Sequence, residues 1–221
     1  MHSNRSHDVL ILPLGLPGTL AVPDNARGLV AFAHGSGSSR FSPRNAAVAK
    51  ALNERGFATL LFDLLTPQEE QDRSNVFNVV MLGERLISAV DWLQSQDPAI
   101  ASLSVGLFGA STGAAAALIA AAQLSDRIAA VVSRGGRPDL AGEALPLVRA
   151  PTLLIVGSAD IGVIELNEDA LARLRGPKAL EIVPGATHLF LEHGAMDKVI
   201  ERAARWFERY LQTQGPVRAA G

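Results

Sequence analysis

The sequence contains no cysteine among its 221 residues. This absence excludes disulfide scaffolds, thiolate nucleophiles and zinc sites built on sulfur. It is compatible with the reducing cytoplasm, where we expect the chain to act. A charge excess of one sign is also absent, because 20 basic and 22 acidic residues leave a formal net charge of −2. We therefore expect neither nucleic acid nor a membrane surface as a partner.

Long apolar runs are missing as well. The Ala-rich segment from Ala114 ends at Gln123, well short of the roughly 20 residues that a membrane span needs. The first eight residues are polar, and no apolar stretch of signal-peptide length follows them. Hydrophobic residues nevertheless make up 48% of the chain, enough to cover both faces of a buried sheet. We expect one domain over residues 1–221, with frayed tails at 1–8 and 212–221.

Short aliphatic runs alternate with longer helical segments, which is typical of an α/β fold with a mostly parallel sheet and helices on both faces. The predicted strands cover 9–12, 19–22, 29–33, 58–65, 103–108, 128–133, 152–156 and 180–183. The predicted helices cover 45–55, 77–96, 112–124, 170–174 and 196–211. Prolines and glycines between the first two strands predict an antiparallel hairpin at the sheet edge, where residues 9–22 offer a contact for a homodimer. The segment between Arg134 and Pro151 is too short for a lid domain, so we expect an open site.

The pentapeptide Gly109-Ala110-Ser111-Thr112-Gly113 has the pattern G-x-S-x-G between a predicted strand and a predicted helix. This is the context of a nucleophile elbow, in which small flanking residues allow a sharp turn that presents the serine hydroxyl. On its own the motif could equally be a glycine-rich turn with a serine N-cap. A base and an acid at suitable positions distinguish the two interpretations.

Two such residues follow Ser111 along the chain. Asp160 comes directly after the predicted strand at 152–156, and His188 lies in the loop after the last predicted strand. Each alone would be an ordinary loop residue, the aspartate a turn or cap and the histidine a surface group. The order Ser, Asp, His at successive strand ends is that of a hydrolase triad. We therefore predict Ser111 as nucleophile, His188 as base and Asp160 as the acid that orients it.

A tetrahedral intermediate needs two backbone donors. The amide of Thr112, directly after the nucleophile, is the first predicted donor. The glycine-rich loop 34–39 after the third strand supplies the second donor. The Ser36 amide is the first choice and the Gly35 amide is the alternative. Gly35 is also expected to contact the substrate. We expect His34 to hold this loop by hydrogen bonds.

The same loop superficially resembles a dinucleotide site, but Arg40 occupies the position of the third glycine. No nucleotide is therefore expected, and the predicted triad chemistry implies no other organic cofactor and no metal. Farther along, Arg134 and Arg137 follow a strand, where either could bind a carboxylate or phosphate of the substrate. The alternative is that both are surface arginines, paired with carboxylates such as Asp139.

At these motifs the sequence resembles the α/β-hydrolase superfamily, and over nearly its whole length it is similar to the compact, lidless dienelactone hydrolase-like group. The resemblance implies the same triad of Ser111, Asp160 and His188, with residues 34–37 as the oxyanion loop. Dienelactone hydrolases proper use a cysteine nucleophile, so the resemblance implies their fold more strongly than their substrate. Segments 32–39 and 133–136 also resemble hydrolase modules that are fused to phosphoribosyltransferases.

The activity expected from these residues is hydrolysis of small or short-chain carboxylic esters through an acyl-enzyme. Thioester hydrolysis and acyl transfer would use the same triad and stay open as alternatives. A ligand-binding protein that retains the fold without turnover is an alternative of another class.

Overall fold

The computed structural model describes residues 4–211, which form one eight-stranded sheet flanked by helices. The strands are β1 (Asn4–Ile11), β2 (Leu16–Pro23), β3 (Leu29–Ala33), β4 (Ala58–Phe62), β5 (Val105–Ala110), β6 (Ile128–Arg134), β7 (Thr152–Gly157) and β8 (Lys178–Val183). Their spatial order is β1-β2-β4-β3-β5-β6-β7-β8. The β1–β2 and β2–β4 pairs are antiparallel and the remaining pairs are parallel. The predicted α/β-hydrolase architecture is confirmed.

The helices are α1 (Pro43–Glu54), α2 (Arg73–Val76), α3 (Val79–Gln94), α4 (Pro98–Ala101), α5 (Thr112–Leu124), α6 (Val163–Arg173) and α7 (Ala195–Tyr210). One buried cluster joins the sheet to α3 and α5, and a second joins its other face to α1 and α7. Six alanines of α5 are fully buried, so this slim helix lies close to the sheet; they are Ala114 to Ala117, Ala120 and Ala121. None of the helices within residues 4–211 has the length and apolar character that a membrane span requires.

The edge hairpin extends farther than predicted. β1 begins at Asn4, and the pairing of β1 with β2 runs from Asn4–Pro23 to Ile11–Leu16. Residues 4–8 are therefore strand, and the expectation that they form part of a frayed tail is wrong. Backbone pairing overrides their polar composition, and the Thr19 hydroxyl also donates a hydrogen bond to Asp8. Residues 1–3 and 212–221 lie outside the described residues, and the homodimer contact stays a prediction.

Helix α6 spans Val163–Arg173, 11 residues against the five of the predicted helix at 170–174. Its inward positions follow the helical spacing Val163, Asn167, Ala170 and Leu174, but the most deeply buried of them is the polar Asn167. Asn167 donates hydrogen bonds to the carbonyls of Gly136 and Val163. A polar residue thus occupies a core position and hides the apolar periodicity that would have predicted the helix.

The segment between β6 and β7 contains 3-10 turns over Pro138–Leu147 and no inserted domain. The two turns are separated by a kink at Gly142, which has a positive φ of 51°. The turns pack against α5 and α6, so the segment covers helices at the side of the sheet. Within residues 4–211 no lid domain is inserted, as predicted.

Candidate active site

Ser111 lies at the tip of a strained turn between β5 and α5. Its backbone has φ 53° and ψ −123°, a conformation that costs energy for a residue with a side chain. A Cβ on Gly109 would lie 2.5 Å from Ala114 Cα, and a Cβ on Gly113 would lie 2.2 Å from the Ala33 carbonyl oxygen. Both glycines are therefore required by close backbone contacts. The turn has the geometry that the sequence motif predicted for a nucleophile elbow.

Asp160 and His188 meet at the same edge of the sheet. His188 Nδ1 lies 2.8 Å from Asp160 Oδ2. The aspartate is buried, whereas 38% of the His188 side chain is exposed. An ionised carboxylate accepts a hydrogen bond from Nδ1–H and leaves Nε2 unprotonated, which is the tautomer that a general base needs.

The loops that carry these two residues are joined by hydrogen bonds. The Ala159 amide donates to the Ala186 carbonyl over 2.9 Å, and the Gly185 amide donates to the Ser158 hydroxyl over 2.7 Å. Gly157 allows this approach, because a Cβ there would lie 2.1 Å from the Ala186 carbonyl oxygen. The separation of Asp160 from His188 is thus determined by backbone contacts.

The end of β6 connects the elbow to the histidine loop. The Ser111 amide donates to the Arg134 carbonyl over 3.3 Å. At the next residue, Gly135, a Cβ would lie 2.9 Å from the His188 carbonyl oxygen and 3.6 Å from His188 Nδ1. Two consecutive residues of the β6 end therefore contact the two loops that carry Ser111 and His188. The structure brings all three residues of the predicted triad to one edge of the sheet.

The predicted oxyanion loop lies against the nucleophile. A Cβ on Gly35 would lie 2.9 Å from Ser111 Cβ and 3.6 Å from Ser111 Oγ. The Ser36 amide donates to the Thr112 hydroxyl over 2.9 Å. Because Thr112 is the first residue of α5, its own amide has no acceptor within the helix. The Thr112 side chain therefore accepts from the Ser36 amide, one predicted oxyanion donor, while the Thr112 backbone amide is the other. The sequence did not predict this arrangement.

His34 anchors this loop, as predicted. Its Nε2 accepts a hydrogen bond from the Leu64 amide over 3.2 Å, and Nδ1 lies 3.0 Å from the Gly35 carbonyl oxygen. Both contacts are satisfied by a neutral ring protonated on Nδ1. Burial lowers the pKa of His34, although hydrogen bonding to Gly35 and the charges of Asp63 and Glu70 oppose the shift. The ring is therefore neutral near pH 7.

A cleft of about 530 Å³ opens beside the oxyanion loop. Its lining includes hydroxyl, apolar and acidic side chains. The serines are Ser36, Ser38, Ser39 and Ser42, the apolar residues are Phe41, Leu65, Val76 and Leu82, and the acidic residue is Glu70. Arg40 holds the loop in place through an ion pair with Asp63. Phe41 is 70% exposed at the rim, so the cleft is open to solvent and lined for a compact, partly apolar group.

Arg134 and Arg137, which the sequence left undecided, have opposite environments. Arg137 donates two hydrogen bonds to Asp139, of 2.9 and 2.8 Å, and the hydrogen bonds raise its pKa. Arg134 is only 5% exposed and forms one long contact of 3.4 Å with Asn45 Oδ1. Burial, followed by the charge of Arg44, lowers the pKa of Arg134 to about 10, so it is charged near pH 7. The surface interpretation is correct for Arg137 and wrong for Arg134.

Within the described part of the chain, no three histidine or carboxylate side chains are placed to share a metal ion. Groups able to bind a ligand are instead the backbone amides of the loop and the serine hydroxyls that line the cleft.

Comparison with known proteins is consistent with this geometry. Residues 16–217 match the model of the dienelactone hydrolase family. A dienelactone hydrolase structure from Anabaena variabilis has 51% sequence identity and a TM-score of 0.90, covering 96% of this chain and 99% of that chain. The esterase domain of a Rhodothermus marinus protein has 22% identity and a TM-score of 0.72, covering 95% and 99%; at that identity the likeness concerns the fold alone.

Two curated relatives are longer than this chain. Proteins of two Mycobacterium tuberculosis strains, provisionally named phosphoribosyl transferases, are 57% identical over 214 residues, or 96% of this chain and 48% of their own length. The chain therefore spans about half the length of these relatives. The family and fold support a hydrolase.

Proposed function

Since the chain belongs to the dienelactone hydrolase family, we propose that it is a serine hydrolase of small or short-chain carboxylic esters. The observation that carries the proposal is the hydrogen bond from His188 to Asp160 at the sheet edge where Ser111 is held in the elbow conformation. This combination supplies a nucleophile, a base of defined tautomer and an acid that orients the base.

In the first step, Ser111 Oγ attacks the ester carbonyl carbon and His188 Nε2 accepts the hydroxyl proton. The oxyanion that forms accepts hydrogen bonds from the Thr112 and Ser36 amides. In the free enzyme the Ser36 amide donates to the Thr112 hydroxyl. When substrate is bound, this amide donates to the substrate oxygen instead. The bond from the carbonyl carbon to the alcohol oxygen then breaks, and His188 gives its proton to the departing alcohol.

In the second step, water attacks the acyl-enzyme while His188 accepts one of its protons. Collapse of the second intermediate breaks the bond to Ser111 Oγ, which recovers a proton from His188. The free acid and the original enzyme are the products.

Substrate size follows from the cleft. About 530 Å³ of space beside the oxyanion loop, with no lid over it, suits a compact acyl group better than a long chain. Phe41, Leu65 and Val76 favour an apolar acyl part. The serine hydroxyls of the cleft favour a polar substituent on the same molecule.

The test is steady-state turnover of p-nitrophenyl acetate, butyrate and decanoate by wild type and Ser111→Ala. We expect turnover that is highest for the two short esters and that falls by at least about 10³-fold in the variant. Equal turnover in folded Ser111→Ala would remove Ser111 from the chemistry. Stoichiometric release of p-nitrophenol without turnover would favour a ligand-binding protein, and preference for a matched thioester would favour a thioesterase.

A further inference from the structure

Asn167 connects α6 to the segment that follows β6. It is fully buried, and its Nδ2 donates hydrogen bonds of 3.1 Å to the Gly136 carbonyl and 2.8 Å to the Val163 carbonyl. Because both neighbours are carbonyl oxygens, only the NH2 end of the amide can face them. Its Oδ1 has no hydrogen-bond partner within residues 4–211. An apolar side chain would fill the position without burying an unpaired oxygen, so packing alone does not explain an asparagine here.

The segment that Asn167 contacts, residues 134–137, binds the backbone of the nucleophile on both sides. The Arg134 carbonyl accepts a hydrogen bond from the Ser111 amide over 3.3 Å, and the Arg137 amide donates one to the Ser111 carbonyl over 3.0 Å. Ser111 has a strained backbone conformation, which persists only where its surroundings hold it. The position of Ser111 therefore depends on the position of residues 134–137.

Residues 134–137 have little stiffness of their own, because the two middle residues are glycines. Gly135 has a positive φ of 50°, and a Cβ there would lie 2.9 Å from the His188 carbonyl oxygen. A Cβ on Gly136 would lie 2.0 Å from Ser133 Oγ. These contacts require glycine, and a glycine backbone has a wide range of accessible φ and ψ. The conformation of the segment is therefore determined by its hydrogen bonds.

Two of these hydrogen bonds hold the glycine pair to different elements. The Gly135 amide donates to the Ile155 carbonyl of β7 over 2.8 Å, and the Gly136 carbonyl accepts from Asn167 of α6. Gly136 is buried, so removal of the Asn167 donor would leave its carbonyl without this bond in a place that water does not easily reach. A shift of the flexible segment would be the cheapest way to relieve that cost.

Helix α6 is itself joined to the acid of the triad. The Val163 amide, at the start of the helix, donates to the Asp160 carbonyl over 3.1 Å. The helix has no side-chain cap of its own, and Asn167 binds the carbonyl of this same first residue, Val163. One side chain thus joins the helix that follows the acid loop to the segment that holds Ser111.

We propose that Asn167 is a positioning residue of the triad, which holds residues 134–137 through Gly136 and thereby places Ser111 relative to Asp160 and His188. Because Asn167 is fully buried, it acts through this backbone segment and not by contact with substrate. Its loss should therefore impair proton transfer from Ser111 to His188 and leave substrate binding unchanged. The proposal rests on the proposed hydrolase activity for its kinetic test.

Steady-state turnover of p-nitrophenyl acetate is compared in wild type, Asn167→Leu and Asn167→Ser. Leucine keeps the branching at Cγ and removes both donors. Serine can still donate to the Val163 carbonyl of its own helix, but it is too short to reach Gly136. We expect kcat and kcat/KM to fall together by about 10- to 100-fold in both variants, because a small misplacement of the nucleophile has a large kinetic effect. If Asn167→Leu does not fold, Asn167→Ser decides the same question.

The pH profile separates this effect from damage to the base. The apparent pKa in a plot of kcat/KM against pH should equal that of wild type, because both variants keep the hydrogen bond between His188 and Asp160. Asn53→Leu is the matched control, since Asn53 also donates from a helix to a backbone carbonyl, that of Phe57, over 2.9 Å. It should lower the thermal unfolding temperature as the Asn167 variants do, with kcat within about twofold of wild type.

The rate at which a fluorophosphonate probe labels Ser111 measures the nucleophile without ester turnover, and it should fall about 10- to 100-fold in both Asn167 variants. Unchanged kcat and labelling rate in a folded Asn167 variant, or an equal loss in Asn53→Leu, would overturn the proposal. A wild-type protein that is labelled on Ser111 but hydrolyses no ester would reject the proposed function, and slower labelling of its Asn167 variants would still support the positioning role.

Discussion

His188 Nδ1 lies 2.8 Å from Asp160 Oδ2, across two loops joined by backbone hydrogen bonds. The pair is therefore held together by its surroundings as well as by its own hydrogen bond. Asp160 is buried and His188 faces solvent, so the acid is protected while the base is accessible to substrate. This geometry leads to predictions for the acid, the oxyanion donors, the loop and its buried histidine.

Asp160→Asn should lower kcat by roughly 10³- to 10⁴-fold, because the amide no longer stabilises a protonated His188 or selects its Nδ1–H tautomer. KM for p-nitrophenyl acetate should change little, since Asp160 does not contact substrate. Circular dichroism and thermal unfolding would verify the fold. Asp139→Asn, which alters the partner of Arg137 outside the triad, is the control, and a comparable loss of kcat there would contradict the assignment.

Ser36→Pro should lower kcat by about 10²- to 10³-fold, because proline has no amide hydrogen to donate to the oxyanion. Thr112→Val removes only the hydroxyl that accepts from Ser36 in the free enzyme and keeps both backbone donors. Its kcat should therefore stay within about threefold of wild type, since removing the partner of one neutral hydrogen bond has a modest effect. A larger loss in Thr112→Val than in Ser36→Pro would make the hydroxyl the relevant donor.

Gly35→Ala should lower kcat about 100-fold, because the added Cβ would lie 2.9 Å from Ser111 Cβ and a small displacement of the nucleophile has a large kinetic effect. Gly37→Ala is the matched control in the same loop. Nothing lies within 4 Å of a Cβ there, but its φ of +68° strains the backbone. We expect Gly37→Ala to lower stability by about 1 kcal/mol with a smaller change in kcat. Equal kcat for Gly35→Ala and wild type would contradict the proposed contact.

His34 should make stability depend on pH. Burial lowers its pKa in the folded state, so the unfolded chain binds the proton more readily. Its contribution is therefore fully present above the unfolded pKa of about 6.5 and is lost as pH falls below that value towards the folded pKa. Urea unfolding between pH 8 and 5 should show a steeper loss of unfolding free energy in wild type than in His34→Gln. Parallel curves would mean that His34 does not titrate differently on folding.

The parts of the site that the sequence predicted are those that depend on chain order. Parallel strands end at one edge of the sheet, so Ser111, Asp160 and His188 could be placed together from the strand pattern alone. The environments of the arginines at the end of β6 were harder to predict, because an arginine after a strand can turn to solvent or inward. Arg137 pairs with Asp139, which is near in sequence, whereas Arg134 packs against Phe190. Only the contact with Phe190 is distant in sequence.

The full length of α6 and the hydrogen bond of the Thr112 hydroxyl were not predicted from the sequence, for a related reason. The side-chain NH2 of the buried Asn167 donates to the Gly136 carbonyl, which lies 31 residues away in sequence. The Thr112 hydroxyl accepts from the Ser36 amide, 76 residues away. Polar groups at buried positions have their meaning only through such distant partners. Apolar periodicity does not contain this information.

The central claim is that Ser111 is an activated nucleophile. Its most direct test is intact-protein mass spectrometry after treatment with a fluorophosphonate probe, followed by peptide mapping of the adduct. The account predicts one adduct per chain, on Ser111, absent in Ser111→Ala and strongly slowed in His188→Ala. A folded wild-type protein that gains no adduct, or that gains it on another serine, would contradict the account.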